Sequence, residues 1–158
     1  MRFFSAPKSD YPAPDTISLP DSWTVIEAQY GAHRLVGNLR DGVAPLMGHS
    51  AYPHQAGIAL LLERPRDDGL PGPQESEQIY QLEDAIQARL EEGNQSLLVA
   101  KWFVRGCREL VFYTMDVKEL SRRVDEIASR GTRNQIQLNT RKDPQWKVLR
   151  SVAAPQAA

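Results

Sequence analysis

The single cysteine of the chain, Cys107, is the first candidate for chemistry, because Arg105 and Arg108 flank it and Glu109 follows in the segment FVRGCRELVFY. Cations beside a thiol favour its thiolate, yet a nucleophilic cysteine also needs a base close by, most often a histidine. The three histidines all precede this segment by a long stretch of sequence. We therefore predict that Cys107 occupies a tolerant position in a β-hairpin. Gly106, which can adopt the positive φ of a tight turn, is the residue that the turn requires.

A second candidate is the loop MGHSAYPHQ, in which His49 and His54 flank Tyr52. Two imidazoles can ligate zinc, but a structural zinc site has four protein ligands and a catalytic site usually three. No CxxC pattern, HExxH pattern or carboxylate cluster completes the set, so the sequence predicts no metal and no cofactor. The loop stays open as an alternative, in which the chain binds a small ligand or acts as an enzyme through these three side chains.

Carboxylates are the third group of candidates, along a helix predicted over residues 75–93 whose apolar positions recur at helical spacing. Paired carboxylates can act as acid and base, but we expect Glu83 and Asp84 on the solvated face of this helix, where they could meet a basic partner. The chain contains no GxSxG motif, no phosphate-binding GxxxxGK[ST] loop and no GxGxxG motif. No catalytic residue is predicted.

The elements that would position these residues begin after an N-terminal stretch rich in proline. Residues 1–20 are predicted to be an irregular arm, because four prolines interrupt any helix. Residues 21–152 are predicted to form a single α+β domain that opens with a β-hairpin over 23–39. Residues 153–158 are predicted to be a disordered tail.

After the hairpin, the apolar pattern alternates between strand and helix periods. The predicted order is β-α-β-β-α-β, over residues 56–63, 75–93, 96–104, 109–115, 116–131 and 135–139. This order is typical of the ferredoxin-like split βαβ fold, an antiparallel sheet with strand order 4-1-3-2. It puts the first and third strands of the unit at the centre of the sheet. The second strand becomes an edge, where Lys101 would hinder pairing with another chain, and the fourth becomes the other edge.

One face of such a sheet has no helices, yet strands 97–104 and 109–115 carry bulky apolar residues on both faces. Something must cover this second face. Three candidates are the N-terminal hairpin, the C-terminal segment DPQWKVLRSV and a second protein chain. We favour the chain's own two ends over a partner.

Composition limits the class of partner. The net charge is −1, but the residues before Lys118 have a balance of −6 and those from Lys118 onward a balance of +5, a polarity that can orient a partner. The basic residues are dispersed and no aromatic residues alternate with them, which disfavours nucleic acid. No stretch is apolar enough for a membrane span or a secretory signal, and the cysteine is alone. These features predict a cytoplasmic protein that binds no membrane, and they do not indicate an oligomeric state.

Several short motifs follow one another in a set order: a hairpin that opens with Trp23, then Gly106-Cys107-Arg108-Glu109 with Tyr113, then Asp116 at a helix start, and finally Asp143-Pro144-Gln145-Trp146. With these motifs in this order, residues 23–152 resemble the bacterial family catalogued as domain of unknown function 695. The resemblance implies an α+β domain without established catalytic residues. It also implies that some members occur beside bacterial toxin and immunity genes, and it extends faintly to the protein regulator that inhibits ribonuclease E.

Together these observations predict a non-catalytic module that binds another protein, such as an immunity or regulatory protein that occludes a toxin or an enzyme. The candidate interaction residues are Lys101 at the predicted strand edge, Glu83 and Asp84 on the acidic helix, and the motif residues Gly106, Arg108, Glu109, Tyr113, Asp143 and Trp146. The alternatives are the small-ligand or enzymatic loop described above and a regulator of a ribonuclease.

Overall fold

The computed structural model describes residues 11–157, which form a six-stranded antiparallel sheet and three α-helices, so the predicted α+β class is confirmed. The strands are β1 (Trp23–Tyr30), β2 (His33–Arg40), β3 (His54–Leu61), β4 (Ser96–Val104), β5 (Cys107–Thr114) and β6 (Ile136–Lys142). The helices are α1 (Pro73–Leu90), α2 (Val117–Ala128) and α3 (Lys147–Ala157). None of the helices in the described range has the length and apolarity needed to cross a bilayer.

Across the sheet the strands stand in the order β1-β2-β4-β5-β3-β6, and every neighbouring pair is antiparallel. The strands β3 and β5 lie inside the sheet and β6 is an edge, as predicted. The prediction that β4 is an edge was wrong, because β2 pairs with it and puts Asn38 opposite Lys101. A Cβ at Gly37 would collide with the Lys101 carbonyl and with Trp102, so a glycine is needed for this close pairing. The hairpin therefore extends the sheet rather than covering it.

The helices α1 and α2 cover one face of the sheet through the apolar stripes that their sequence periodicity predicts. Buried residues of these helices pack on β3 and β5, namely Ile79, Ile86, Leu90, Leu120, Val124 and Ile127 against Ile58, Leu60, Leu110 and Phe112. The first turn of α2 is capped as expected, since the Asp116 side chain accepts a hydrogen bond from Glu119 N at 3.1 Å.

The opposite face is covered by the chain itself. The covering residues come from α3 and the turn before it, from the loop 41–53 and from the N-terminal arm: Trp146, Leu149, Val152, Val43, Leu46, Tyr52, Ile17 and Leu19. The predicted C-terminal segment therefore covers this face, whereas the other predicted cover from the chain, the N-terminal hairpin, extends the sheet. The loop was not among the predicted covers. The helix α3 continues to Ala157, through the segment predicted to be a disordered tail. Of the predicted arm, residues 1–10 lie outside the described range.

The two covering layers are offset toward opposite ends of the sheet. Helices α1 and α2 contact β4 and β6 on their face and leave the outer hairpin strands open, with Val25 exposed. On the other face α3 reaches β1, and the side chains of Gln137 and Asn139 at the β6 end are exposed. Among residues 11–157, each face therefore has an uncovered region, and the two regions lie at opposite edges of the sheet.

Candidate functional site

The uncovered region beside α1 is a groove of about 320 Å³, which we call the hairpin groove. The residues that line it come from the hairpin, β4, β5, α1 and the loop that precedes α1. The groove is lined by Val25, Val36, Gly37, Asn38, Arg66, Leu70, Pro71, Ser76, Tyr80, Phe103 and Arg108. In the described sheet, β1 is the outermost strand on this side of the groove.

Two large apolar side chains are exposed in the described part of the chain, and both line this groove. Val25 on β1 is 68% exposed and Tyr80 on α1 is 44% exposed. Scattered apolar side chains are common on protein surfaces, but apolar residues that share one concave surface are typical of an interaction site. The hairpin groove is therefore the candidate surface for binding another protein.

A buried charge cluster lies directly under α1 at the inner end of the groove. Glu83 is 2% exposed. Its two carboxylate oxygens accept hydrogen bonds from Lys101 Nζ and from Arg108 Nε, each at 2.8 Å. Glu83 and Lys101 were predicted to be a solvated helix residue and an edge residue, and both predictions were wrong. Three predicted interaction residues thus meet in one cluster, which we call the charge triad.

Aromatic rings surround the two cations of the charge triad. Lys101 Nζ lies 4.2 Å from the centroid of the Trp23 ring, and Arg108 Cζ lies 4.4 Å from that of Phe103. Arg108 is also 5.5 Å from the ring of Tyr80. Such cation–π contacts offset part of the cost of burying the charges. With two cations and one carboxylate, the triad presents an excess of positive charge to the groove.

A second cluster of predicted residues lies on the opposite face and anchors α3. The Tyr113 hydroxyl donates to Asp143 Oδ2 at 2.8 Å, and the Tyr113 and Trp146 rings stack with centroids 4.0 Å apart. The Asp143 carboxylate also accepts from Lys147 N and Val148 N, which caps the helix. Burial raises the pKa of Tyr113, and the hydrogen bond to Asp143 raises it further. The polar groups of Tyr113 and Asp143 have hydrogen-bond partners within the chain, which indicates a structural role for this cluster.

The turn between β4 and β5 confirms the predicted hairpin around Gly106. Arg105 and Gly106 both have positive φ, 51° and 73°, as a tight two-residue turn requires. Cys107 follows this turn and is half-buried. Burial raises the pKa of its thiol and the Glu109 carboxylate adds to the effect, while Arg105 opposes it. The site therefore favours the thiol over the thiolate.

The remaining predicted interaction residues do not join the charge triad. Glu109 points to the opposite face, where its Oε1 accepts a hydrogen bond from Trp102 Nε1 at 2.7 Å. Asp84 is exposed on α1. Glu83 differs from Asp84 and Glu109 because it is hydrogen-bonded to Arg108, which lines the hairpin groove.

The loop that contains His49, Tyr52 and His54 packs against the N-terminal arm and lies away from Cys107. His49 stacks on Tyr11 with centroids 4.8 Å apart, and its Nε2 lies 2.7 Å from the Pro12 carbonyl oxygen. Cys107 pairs with Leu61 at one end of β3, whereas His54 pairs with Thr114 at the other end. His54 Nδ1 is buried and has no hydrogen-bond partner in the described residues.

Tyr52, the third residue of that loop, is also engaged in structural contacts. Its hydroxyl donates to the Asn94 carbonyl at 2.7 Å, and burial together with the nearby Glu91 raises its pKa to about 12. Within residues 11–157, no three His, Cys, Asp or Glu side chains are grouped closely enough to hold a metal ion.

A family model described as a family of unknown function, DUF695, matches residues 21–151. The chain belongs to DUF695. Comparison with curated proteins and with solved structures found no match. The resemblance inferred from the motif residues is thereby confirmed. In this DUF695 member, the motif residue Arg108 lies in the charge triad under α1, and Tyr113, Asp143 and Trp146 form the cluster that anchors α3.

Sequence reasoning missed the apolar residues of the groove. Val25 and Phe103 lie at alternating strand positions and Tyr80 follows the apolar stripe of α1, so each was visible as part of an element. Their meeting depends on the pairing of β2 with β4, for which the sequence holds no local signal apart from Gly37.

Proposed function

We propose that the chain is a non-catalytic cytoplasmic module that binds an extended segment of another protein along β1 and occludes a toxin or an enzyme, as an immunity or regulatory protein does. The observation that supports this is the exposure of Val25 on an edge strand beside the exposed Tyr80, over a shared groove. An extended peptide that adds to a sheet edge gains main-chain hydrogen bonds, and side-chain pockets give it specificity.

The edge strand β1 is suited to this kind of pairing. It is eight residues long and has a strand neighbour on one side only in the described sheet. Its sequence, WTVIEAQY, contains neither the lysine nor the proline that commonly protects an edge. The other edge, β6, ends in Thr140-Arg141-Lys142 and is therefore protected by charge.

Charge indicates the chemistry of the segment that would bind. Arg34 at the rim is paired with Glu27, and Arg66 is paired with Asp68, so these pairs are neutral. The charge triad keeps its excess of positive charge, and Arg108 lines the groove. We therefore expect a partner strand that alternates apolar side chains, directed at Val25, with at least one carboxylate directed at Arg108.

The strand order also supports a finer assignment of the fold. The four strands after the hairpin stand in the order β6-β3-β5-β4, with α1 and α2 on one face. In the proposed assignment, residues 54–142 are a ferredoxin-like split βαβ unit whose open edge has been extended by the hairpin.

The test is co-expression of the chain with the product of each neighbouring gene, followed by purification of the complex. We expect one product to form a stoichiometric complex, and Val25→Arg to weaken its dissociation constant at least tenfold. The matched control is Ala88→Arg, which adds the same side chain at an exposed position of α1. A complex that tolerates Val25→Arg contradicts the proposed surface, and the lack of a complex with any neighbouring product contradicts the proposed function.

A second readout separates strand pairing from other binding modes. Amide hydrogen exchange in β1 should slow on complex formation, because main-chain donors at a free edge gain acceptors from the added strand. The amides of β6, at the other edge, should exchange at an unchanged rate. Protection at β6 in place of β1 would contradict the proposal.

A further inference from the structure

The second uncovered region is a depression of about 580 Å³ on the face opposite α1 and α2, which we call the sheet depression. Its lining includes Gly57, Ala59, Arg105, Glu109, Gln137 and Asn139. The register explains its shape. Ala59 lies between Glu109 and Gln137 on the neighbouring strands, and Gly57 lies between Val111 and Asn139. Small residues on the central strand, flanked by larger residues on both sides, leave a trough in the sheet.

The amide of Gln55 lies beside this trough. Gln55 is 6% exposed, and its side chain makes no hydrogen bond with any residue of the described range. A methyl group placed on Gly57 would lie 3.4 Å from Gln55 Nε2, so the amide lies over the glycine. The polar atoms of this amide keep contact with solvent, since the buried side-chain polar atom that lacks a partner among the described residues is His54 Nδ1. A ligand in the trough can therefore replace water at the Gln55 amide.

The carboxylate of Glu109 is half satisfied at the same place. Its Oε1 accepts from Trp102 Nε1 at 2.7 Å, while its Oε2 lies 3.8 Å from the position of that methyl group and has no donor among the described residues. Arg105 lines the other side of the depression, exposed on its turn, and makes no ion pair in the described structure. A free carboxylate oxygen and a free guanidinium therefore face one small volume.

We propose that the sheet depression binds a small zwitterion of the amino-acid class, whose ammonium group donates to Glu109 and whose carboxylate contacts Arg105. The amides of Gln55, Gln137 and Asn139 can each donate and accept hydrogen bonds, and they serve the polar groups of the ligand. The volume falls in the range of about 300–1,000 Å³ that small-molecule sites occupy. No large exposed apolar side chain borders the depression in the described residues, which distinguishes it from the hairpin groove.

The test uses ¹⁵N-labelled protein and nuclear magnetic resonance, with each of the twenty common L-amino acids as a separate probe. Binding should shift the side-chain amide signals of Gln55, Gln137 and Asn139 and the backbone amide of Gly57, in a saturable manner. The N-acetyl derivative of the amino acid that binds best lacks the ammonium group, and its amide derivative lacks the carboxylate. Both derivatives should bind at least tenfold more weakly.

Two charge variants test the assigned contacts without removing structure. In Glu109→Gln the side chain can still accept from Trp102 but offers an NH₂ group where the ammonium would bind. In Arg105→Asn the guanidinium is lost, while asparagine tolerates the positive φ of this turn. Each should weaken binding at least tenfold, whereas Glu77→Gln and Lys118→Gln, at exposed positions on α1 and α2, should leave it unchanged.

A filling variant gives an independent check, since Ala59→Leu should abolish binding by occupying the floor of the trough. The remaining signals of each spectrum report whether a variant is folded. The proposal is overturned if none of the twenty probes shifts these four signals in a saturable manner. It is also overturned if the N-acetyl derivative binds as well as the parent amino acid, or if the folded Glu109→Gln variant binds as tightly as the wild type.

Discussion

The hairpin groove and the sheet depression are both parts of one sheet that the covering layers do not reach, yet their linings differ. The groove exposes Val25 and Tyr80 and is backed by buried charges that already have partners. The depression exposes polar groups, and the amide of Gln55 beside it makes no hydrogen bond with the described residues. Apolar area is matched by a macromolecular surface, whereas unsatisfied polar groups are matched by a small ligand.

The same comparison shows that a surface cannot be assigned from residue type alone. Glu83 and Glu109 are both carboxylates that accept hydrogen bonds from other side chains, on opposite faces of the sheet. Glu83 is held by two cations in the interior, whereas Glu109 keeps one oxygen directed at an open trough. The first should therefore contribute to stability and the second to binding.

The largest expected effect comes from Glu83→Ala, which leaves Lys101 and Arg108 buried without their counter-ion. Removing one partner of a buried ion pair typically costs about 3–5 kcal/mol. Urea denaturation followed by tryptophan fluorescence should show this loss in the free energy of unfolding. Glu109→Gln should change the same quantity by no more than about 0.5 kcal/mol. Equal losses in the two variants would contradict the division of roles between the two carboxylates.

The charge triad also shows what the sequence could and could not predict. Glu83 is four residues after Ile79 and three before Ile86, so helical spacing alone places it on the buried stripe of α1. Its charge led to the opposite prediction. Lys101 was assigned to an edge because nothing local in the sequence reveals that β2 pairs with β4. Periodicity thus predicted α1 and α2, and Gly106 indicated the turn between β4 and β5, whereas the sequence did not reveal the long-range strand pairing or the side-chain contacts that depend on it.

The cover of the second face was predictable only in part. Asp143 and Trp146 marked the C-terminal segment as structured, yet the helix after them was not predicted. Its first turn depends on the Asp143 cap and on the Tyr113 hydroxyl, which lies 30 residues away in sequence. The depression was missed for the same reason, because Gln55, Glu109 and Asn139 are brought together only by the strand register.

A smaller effect is expected from Glu75→Gln, which concerns the wall of the groove. The Glu75 carboxylate accepts hydrogen bonds from Glu63 N, Arg64 N and Asn134 Nδ2 and so fixes the start of the loop before α1. Loss of charge-assisted hydrogen bonds at a buried site costs about 1–3 kcal/mol. The urea midpoint at neutral pH should fall accordingly, and hydrogen exchange in the loop 63–72 should become faster.

The pH dependence of this variant has a definite sign. Burial alone would raise the pKa of Glu75, but the hydrogen bonds and Arg133 outweigh burial and hold it below its ordinary value of 4.5. Because the folded state binds the proton less tightly than the unfolded state, the stability contributed by Glu75 is complete above about pH 5 and is lost as the pH falls through the folded pKa. The difference between wild type and Glu75→Gln should shrink on acidification. A difference that is constant with pH would contradict this account.

A still smaller effect is expected from Tyr113→Phe, which tests how α3 is anchored to the face of the sheet that carries the depression. The hydroxyl donates to Asp143, which keeps its two backbone donors in α3 after the substitution. The substitution also removes the longer bond that the hydroxyl accepts from Leu149 N at 3.4 Å. Each such bond contributes about 0.5–1.5 kcal/mol, while the stack on Trp146 is retained. Hydrogen exchange should accelerate in α3 and stay unchanged in β1. Acceleration spread evenly over both would show that the two regions are not independent.

The smallest expected effect on stability is that of Cys107→Ser, within about 0.5 kcal/mol, since the thiol is only half-buried and forms no disulfide. The wild-type thiol nevertheless reports the charges of the depression. Burial and Glu109 raise its pKa while Arg105 lowers it, so alkylation by iodoacetamide at neutral pH should be slower than that of a cysteine in a short peptide. Glu109→Gln should speed the reaction by increasing the thiolate fraction, and Arg105→Asn should slow it. Opposite shifts in these two variants would place the thiol in the field of the same two charges that are proposed to hold the zwitterion. A shift in the same direction for both would show that the substitutions act through exposure of the turn, and it would remove the electrostatic basis for contrasting the depression with the groove.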